Sequence, residues 1–203
     1  MKVMIEKEAE NFLEKEGFNV VKRKVVKNKN ELEKAISFVG SPIAMKISSK
    51  KIVHKARVKG VIVNIHGLKA AEKAFNKLKK IKDFEEVLIQ KMIMGQFLII
   101  GLKKTPEFGL AIMVGAGGGN VERMHDVSFR ICPINEKDAD EMLKEIRFYK
   151  RLKQKHVNFN AIKKNLLKIS NLSKKYPSIE ELDINPLIVN EKEAIIVDAR
   201  IVM

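Results

Sequence analysis

The chain has 203 residues, of which 45% are hydrophobic and 32% are charged, a composition typical of a globular protein with a sizeable core. No apolar run approaches the roughly 20 residues that cross a bilayer, and residues 1–18 lack the apolar segment of a secretory signal. The single cysteine, Cys132, cannot form an internal disulfide and suits a reducing compartment. We therefore expect no membrane span and a cytoplasmic location.

The formal net charge is +15, from 40 lysines and arginines against 25 acids. Such an excess attracts polyanions such as nucleotides, coenzyme A or nucleic acid. Lysines scattered over helix faces are also an ordinary solvated surface, typical of growth at high temperature. Nucleic-acid binding usually adds aromatic side chains among the basic ones, but the chain has no Trp and only two Tyr. Nucleic acid is therefore the least favoured of these ligands.

Helices and strands alternate along the first half of the chain. Residues 5–15 place Ala9, Phe12 and Leu13 on one helical face, and Gly17 follows where a glycine often ends a helix. Apolar spacing predicts the elements that follow. They are strands over 18–26, 42–47, 61–65 and 86–91, and helices over 31–39 and 70–78.

The second half of the chain begins with two short apolar runs, 96–103 and 110–114, which predict a β-hairpin. A glycine-rich loop follows at 115–119. The remaining predicted elements are helices over 136–149 and 159–176 and two closing strands over 181–189 and 194–202. With no internal repeat of 20 to 50 residues, this order fits two interdigitated α/β lobes best.

The closing hairpin places polar residues inside apolar strands. Asn185 and Asp198 lie on its two strands, across a turn near Asn190, and their side chains could share one face. Amide and carboxylate oxygens are ligands that Mg²⁺ takes alongside nucleotide phosphates. From the spacing alone, a structural role is the more common one, because buried Asn and Asp usually bond the backbone or cap a turn.

Other residues have chemistry suited to phosphate groups. Lys46 lies near the end of a buried strand, where its charge could meet a phosphate. The pair His54-Lys55 combines a competent nucleophile with a steering cation. Glu122, after the glycine loop, could orient a nucleotide or metal. Each of these residues could also be an ordinary surface group, and the glycines, which could present N–H groups to an anion, lack the Lys-Ser/Thr of a P-loop.

Short stretches spread over nearly the whole chain match one known family in order. They are 8–13 with Gly17-Phe18, 42–47, 52–55 with Gly60-Val61, 99–101, 106–109, Gly117-Gly118 with 121–122, 126–130 and both closing strands. On these stretches the chain resembles the ATP-grasp (beta) subunit of ADP-forming acetyl-CoA (acyl-CoA) synthetases. It is more distantly similar to the beta subunit of succinyl-CoA synthetase.

The resemblance implies an α+β ATP-grasp fold, with two α/β lobes and the nucleotide in the cleft between them. It makes residues 1–203 one ATP-grasp domain, with lobes over 15–92 and 93–203 and an N-terminal helix over 1–14. The implied reaction is acyl-CoA + ADP + phosphate ⇌ carboxylic acid + CoA + ATP, by way of an acyl phosphate and a phosphohistidine. The partner is a CoA-binding alpha subunit that carries the principal histidine.

The resemblance also assigns roles to residues. It implies that His54 relays the phosphoryl group towards ADP and that Asp183 supports the incoming phosphohistidine. Asn185 and Asp198 are the implied Mg²⁺ ligands. The residues implied to contact the nucleotide, ATP or ADP, are Lys46, Lys55, Gly60, Gln90, Met92 and Glu122.

Four positions depart from the family pattern. Arg57 follows the His-Lys pair where an acid is usual, and Lys59 replaces a glycine of a phosphate loop. Lys91 and Phe97 replace acids expected near the nucleotide. Bulk and charge at Lys59 stand where the backbone should approach a phosphate closely, and a phenyl ring cannot hydrogen-bond a ribose.

Two interpretations follow from these departures. In the first, the chain is an active synthetase subunit whose extra lysines and arginine bind phosphates. In the second, it is a degenerate, non-catalytic ATP-grasp protein that acts as a regulatory or scaffolding subunit. The retained Lys46, His54, Asn185 and Asp198 favour the first.

Overall fold

The computed structural model describes residues 3–49, 51–52, 55, 57–118 and 126–203. The chain forms two compact units, a smaller one over Val21–Ile93 and a larger one made of Met1–Val20 and Met94–Met203. The N-terminal helix therefore belongs to the larger unit. Within the described residues, no helix is long and apolar enough to cross a membrane.

Helices and strands follow one another through both units. In chain order they are β1 (Val3–Met4), α1 (Glu6–Lys15), β2 (Arg23–Val26), α2 (Leu32–Val39), β3 (Ile43–Ser48), β4 (Val61–Ile65), α3 (Gly67–Lys79), β5 (Glu86–Lys91), β6 (Gln96–Thr105), β7 (Gly109–Ala116), β8 (Val127–Ile131), α4 (Glu136–Glu145), α5 (Tyr149–Gln154), α6 (Phe159–Lys175), β9 (Glu181–Val189), β10 (Ala194–Ile196) and β11 (Ala199–Val202).

The larger unit is built on an antiparallel sheet with the strand order β1-β11-β9-β6-β7-β8, in which β10 also pairs with β9. Alternate residues of β6, Leu98, Ile100 and Leu102, are fully buried, as expected when one face of a sheet is covered. They belong to one core with apolar residues of α4 and α6, two helices that contact β6, β7 and β8. One face of this sheet therefore packs against the helices of the core.

The smaller unit is an antiparallel sheet with the order β2-β5-β3-β4. Strand β3 is buried along its whole length, and α2 and α3 pack against this sheet. Its core is separate from that of the larger unit and includes Met45, Phe75 and Ile89. This is the pattern of an independent layer of two helices on one sheet.

Two predicted elements are shorter than the sequence indicated, and the closing strand expected over 194–202 is interrupted between β10 and β11. The strand expected over 18–26 is regular only at β2, with Val20 making a single bridge to Ile196. The helix expected over 136–149 ends at Glu145, because Ile146 has an extended backbone with ψ 136°. The carboxylate of Asp126 takes the next two N–H groups, from Arg147 at 2.6 Å and Phe148 at 2.8 Å.

Strand β8 has no counterpart among the predicted strands. Its polar residues point inward and its apolar ones outward: Ser128 is buried, whereas Phe129 is 56% and Ile131 is 47% exposed. The inward polar groups are satisfied by α4, since Ser128 Oγ and the Arg130 guanidinium both donate to the Glu145 carboxylate. This inversion of the usual pattern conceals the strand in the sequence.

Candidate functional site

The larger unit contains three polar residues in its closing strands, Asp183, Asn185 and Asp198, which we call the acidic hairpin. Regular pairing of β9 with β11 stops at Ile184 opposite Ala199. Beyond that point the Asn185 N–H donates to the Asp198 carbonyl at 3.1 Å, and the Val197 N–H donates to the Pro186 carbonyl at 3.1 Å. Asn185 and Asp198 are therefore direct cross-strand neighbours.

The Asn185 side chain is held in place by the segment that follows a third strand, β7. Its Oδ1 accepts a hydrogen bond from the backbone N–H of Gly118, which follows β7, at 3.0 Å. An amide oxygen has two lone pairs, so one remains for a cation. Residues 67 positions apart in the sequence thus cooperate to orient one candidate metal ligand.

Asp183 lies in an environment that disfavours its charge. Burial, followed by the negative charges of Asp198 and Glu181, raises the pKa of Asp183 to about 6, while Arg200 acts in the opposite direction. Arg200 is the register partner of Asp183 on β11, and Gly101 is its partner on β6. Asp183 therefore has a charged side chain on one flank and a glycine on the other.

The donor set of the acidic hairpin suits Mg²⁺. Within the described part of the chain, no three or more His, Cys, Asp or Glu residues form a cluster that could hold a metal by themselves. Mg²⁺ is commonly held by only one or two protein oxygens together with substrate phosphates and water. One carboxylate beside one amide oxygen, within a hairpin of excess negative charge, matches that requirement.

The smaller unit positions Lys46 in the middle of its sheet. Lys46 is only 6% exposed and pairs in register with Val61 on β4 and Leu88 on β5. An ammonium group in such a place requires polar or anionic partners, and Lys46 does take part in interactions within the fold. A rigid, buried strand therefore fixes where this cation sits.

Next to Lys46 the chain forms what we call the basic turn, made of Lys55, Arg57, Lys59 and Gly60. The Gly60 N–H donates to the Lys55 carbonyl at 2.8 Å, and the Gly60 carbonyl accepts from the Ile47 N–H at 2.8 Å. A Cβ at Gly60 would lie 2.4 Å from Ile47 Cγ2. Only glycine allows the basic turn to approach β3 so closely.

The other predicted nucleotide-contacting residues of the smaller unit are at the end of β5. Gln90 is fully buried and pairs with Arg23 and Ala44. Met92 is half-buried, and its N–H donates to the Pro42 carbonyl at 2.9 Å. Lys91, between them, is exposed.

Two predicted residues, His54 and Glu122, lie outside the described residues. The described glycines of the loop do not present their N–H groups to an anion. The N–H of Gly117 donates to the Phe97 carbonyl at 2.7 Å, and that of Gly118 donates to Asn185. A Cβ at Gly117 would lie 2.4 Å from the carbonyl carbon of Leu98, so close strand packing explains this glycine.

Sequence reasoning missed two residues beside Asp183. Arg200 is two positions after Asp198, in a stretch that the sequence predicts as one strand, and this spacing places both side chains on one face. Gly101 interrupts an apolar strand, where a glycine often marks a close approach.

Comparison with known proteins identifies the class. A family model described as an ATP-grasp domain matches residues 1–203. The chain belongs to the ATP-grasp family, and the α+β fold expected from its sequence is confirmed.

Similar proteins place the chain in one branch of the ATP-grasp family. The chain is 38% identical over 212 residues to the beta subunit of acetate–CoA ligase [ADP-forming] I of Pyrococcus furiosus, covering 98% of this chain and 91% of that one. Among solved structures, the dinucleotide-forming acetyl-coenzyme A synthetase 1 of Ca. Korarchaeum cryptofilum, in complex with coenzyme A and Ca-AMPCP, is 34% identical with a TM-score of 0.92 and covers 100% of this chain and 93% of that chain. The chain is therefore a member of the family of beta subunits of ADP-forming acetyl-CoA synthetases.

A second structure of the Korarchaeum enzyme contains coenzyme A and Mg-AMPPCP, with its phosphohistidine segment pointing towards the nucleotide binding site. It is 36% identical with a TM-score of 0.85 and covers 100% of this chain and 93% of that chain. That relative therefore binds a magnesium nucleotide, and at this level of similarity the catalytic interpretation of the chain is favoured over a degenerate one.

Proposed function

We propose that the chain is the nucleotide-binding beta subunit of an ADP-forming acyl-CoA synthetase. With a CoA-binding alpha subunit, it converts acyl-CoA, ADP and phosphate into carboxylic acid, CoA and ATP. The observation that carries the proposal is the acidic hairpin, in which Asn185 and Asp198 are cross-strand neighbours joined by a 3.1 Å backbone hydrogen bond.

In this proposal each unit supplies one part of the phosphate chemistry. Asn185 Oδ1 and the Asp198 carboxylate hold Mg²⁺. When bound, the cation neutralises phosphate charge and fixes the orientation of the phosphate groups. Lys46 contributes a positive charge from a buried strand, where a low dielectric strengthens its attraction to phosphate.

The remaining nucleotide contacts are also proposals. Gln90 and Met92 border the nucleotide from the end of β5, and Glu122 lines its site. Lys55 and the backbone at Gly60 lie beside the strand that carries Lys46. Their support is the resemblance together with the close packing of the basic turn on β3.

The phosphoryl group reaches the nucleotide through histidine. The alpha subunit carries the phosphohistidine, Asp183 supports its imidazole, and His54 relays the phosphoryl group towards ADP. At each transfer a P–N bond breaks as the next bond to phosphorus forms, and the last transfer forms the P–O bond of ATP. The support for the role of Asp183 is the resemblance, together with its position in the acidic hairpin two residues before Asn185.

Reconstitution tests the proposal. The purified chain is mixed with the CoA-binding subunit from the same source, and ATP formation from acetyl-CoA, ADP and phosphate is followed with Mg²⁺. We expect ATP formation that requires both chains and is abolished in Asp198→Ala. The matched control, Glu191→Ala, removes an exposed acid from the turn of the same hairpin and should leave the rate unchanged.

A second readout tests the histidine relay. With labelled phosphate and acetyl-CoA, the beta chain should acquire acid-labile, base-stable label that is absent in His54→Ala. Transfer at the normal rate in His54→Ala would overturn the relay. No ATP formation by the wild-type pair, with Mg²⁺-nucleotide binding also absent, would favour the non-catalytic alternative.

A further inference from the structure

Lys59 has an unusual backbone for its residue type. Its φ is 55°, in the left-handed region that costs most side chains energy. Among the described residues, the other non-glycine residues with positive φ are Asn64, Asp83 and His156, types that tolerate this region better. Lysine at such a position is the exception, and backbone strain of this kind is found most often where a side chain has a function.

The strain cannot relax, because the next residue is fixed. Gly60 is tied by hydrogen bonds to Lys55 on one side and to Ile47 on the other, each of 2.8 Å. Gly60 also leads directly into β4, whose first residue, Val61, pairs with Lys46. The fold therefore holds the Lys59 backbone in the left-handed conformation that a glycine would adopt at lower cost.

Among the described residues, the side chain of Lys59 has no contact that offsets this strain. It is exposed, and in the part of the chain that the structure describes it makes no hydrogen bond or ion pair. Arg57, two residues earlier in the basic turn, is also an exposed cation. Like charges gathered at one place repel one another, and a multiply charged anion is the ligand that would relieve the repulsion.

We propose that Lys59 is a phosphate-binding residue of the nucleotide site, whose ammonium contacts the same phosphate chain as Lys46. The inference rests on the proposed function and extends it to a residue that replaces a glycine. The side chain supplies to the phosphate a charge that a glycine backbone lacks. The strained backbone of Lys59 lowers the stability of the fold, and in return it allows the phosphate contact.

The test compares Lys59→Gly with the wild type in two measurements, thermal unfolding and calorimetric titration with Mg-ADP. We expect a melting temperature higher by about 2 °C, because glycine relieves the strain, together with binding weaker by about fivefold, because an exposed ion pair is lost. Lys59→Arg, which keeps the charge, should retain affinity within about twofold of the wild type.

Two controls separate charge from strain. Lys73→Ala removes an exposed lysine from α3 of the same unit and should not change affinity. His156→Gly relieves a positive φ of 48° in the larger unit and should raise the melting temperature without changing affinity. These outcomes exclude general electrostatic and stability effects on the binding of Mg-ADP.

Two results would overturn the inference, and they can be told apart. If the wild type binds Mg-ADP and Lys59→Gly binds it equally well, Lys59 makes no phosphate contact, although the proposed function stands. If the wild type binds no Mg-ADP, with its partner subunit present as well, the proposed function and the role of Lys59 fail together.

Discussion

The two units of the chain use their charges in different ways. The smaller unit has 19 of the 40 lysines and arginines but only 6 of the 25 acids, so it carries +13 of the formal charge of +15. The larger unit is nearly neutral and pairs its charges internally. Arg130 with Glu145, Lys104 with Glu180 and Lys175 with Glu16 are examples.

In the smaller unit, cations of α3 and its end have no such partners. Within the described residues no ion pair involves Lys69, Lys73, Lys77, Lys79, Lys80 or Lys82. The charge on this chain is therefore not a uniform property of its surface. In the larger unit charges help to hold the fold, whereas in the smaller unit a positive field is left to act on an anion.

The largest effect on stability is expected at Asp126 in the larger unit. This buried carboxylate accepts the N–H groups of Arg147 and Phe148, and Asp126→Ala leaves both donors without their partner. We expect a loss of about 3 kcal/mol in the free energy of unfolding, measured by urea denaturation. Glu107→Ala, at an exposed position in the β6–β7 turn, is the control. An equal effect of both variants would contradict this account of Asp126.

The next largest effect is expected at Asp198, an acid of the larger unit that we assign to ligand binding. Asp198→Ala should weaken Mg-ATP binding by about 100-fold, since a charged ligand of the cation is lost. Calorimetry measures the affinity, and circular dichroism checks the fold. Glu191→Ala should bind as the wild type does. Unchanged affinity in Asp198→Ala would remove this residue from the site.

A smaller effect is expected in the smaller unit at Lys46, a buried lysine that we assign to phosphate. Lys46→Met should weaken nucleotide binding by about tenfold, whereas Lys73→Met, with the same loss of charge, should have little effect at moderate salt because distant exposed charges are screened. Titrations at two salt concentrations measure this. Equal losses in both variants would show that the overall field, not position, determines affinity.

The smallest effect concerns an ion pair of the larger unit. The hydrogen bond from Arg130, and then the one from Ser128, hold the pKa of Glu145 below its ordinary value of 4.5. The stabilisation from the ionised carboxylate is therefore present above that pH and lost as the pH falls through the lowered pKa. Glu145→Gln should unfold with a shallower pH dependence below about pH 4.5 in acid titrations. An unchanged slope would contradict the pairing.

Parts of the fold that depend on local signals could be predicted from the sequence. The closing hairpin is an example: its turn is set by Asn190, whose Oδ1 accepts from the N–H groups of Lys192 at 2.9 Å and Glu193 at 3.0 Å. That register brings Asn185 and Asp198 together. The first helix could also be predicted, from the spacing of its apolar residues. Its end could be predicted from Gly17, which has a φ of 77°.

The rest depends on contacts between residues distant in sequence. The break after Glu145 requires the carboxylate of Asp126, and β8 turns its polar residues inward because α4 satisfies them. The local sequence does not indicate the hydrogen bond from Gly118 to Asn185. It does not indicate the left-handed backbone of Lys59 either, since lysine is the wrong residue type to indicate positive φ. Tertiary structure decides these features, and two of them belong to the candidate site.

We propose that this chain binds a magnesium nucleotide, and calorimetric titration of the wild type with ADP and ATP, each with and without Mg²⁺, tests this proposal. We expect micromolar binding that depends on the metal and is weakened about 100-fold in Asp198→Ala. Binding that is equally strong without Mg²⁺, or absent even with the partner subunit present, would contradict it.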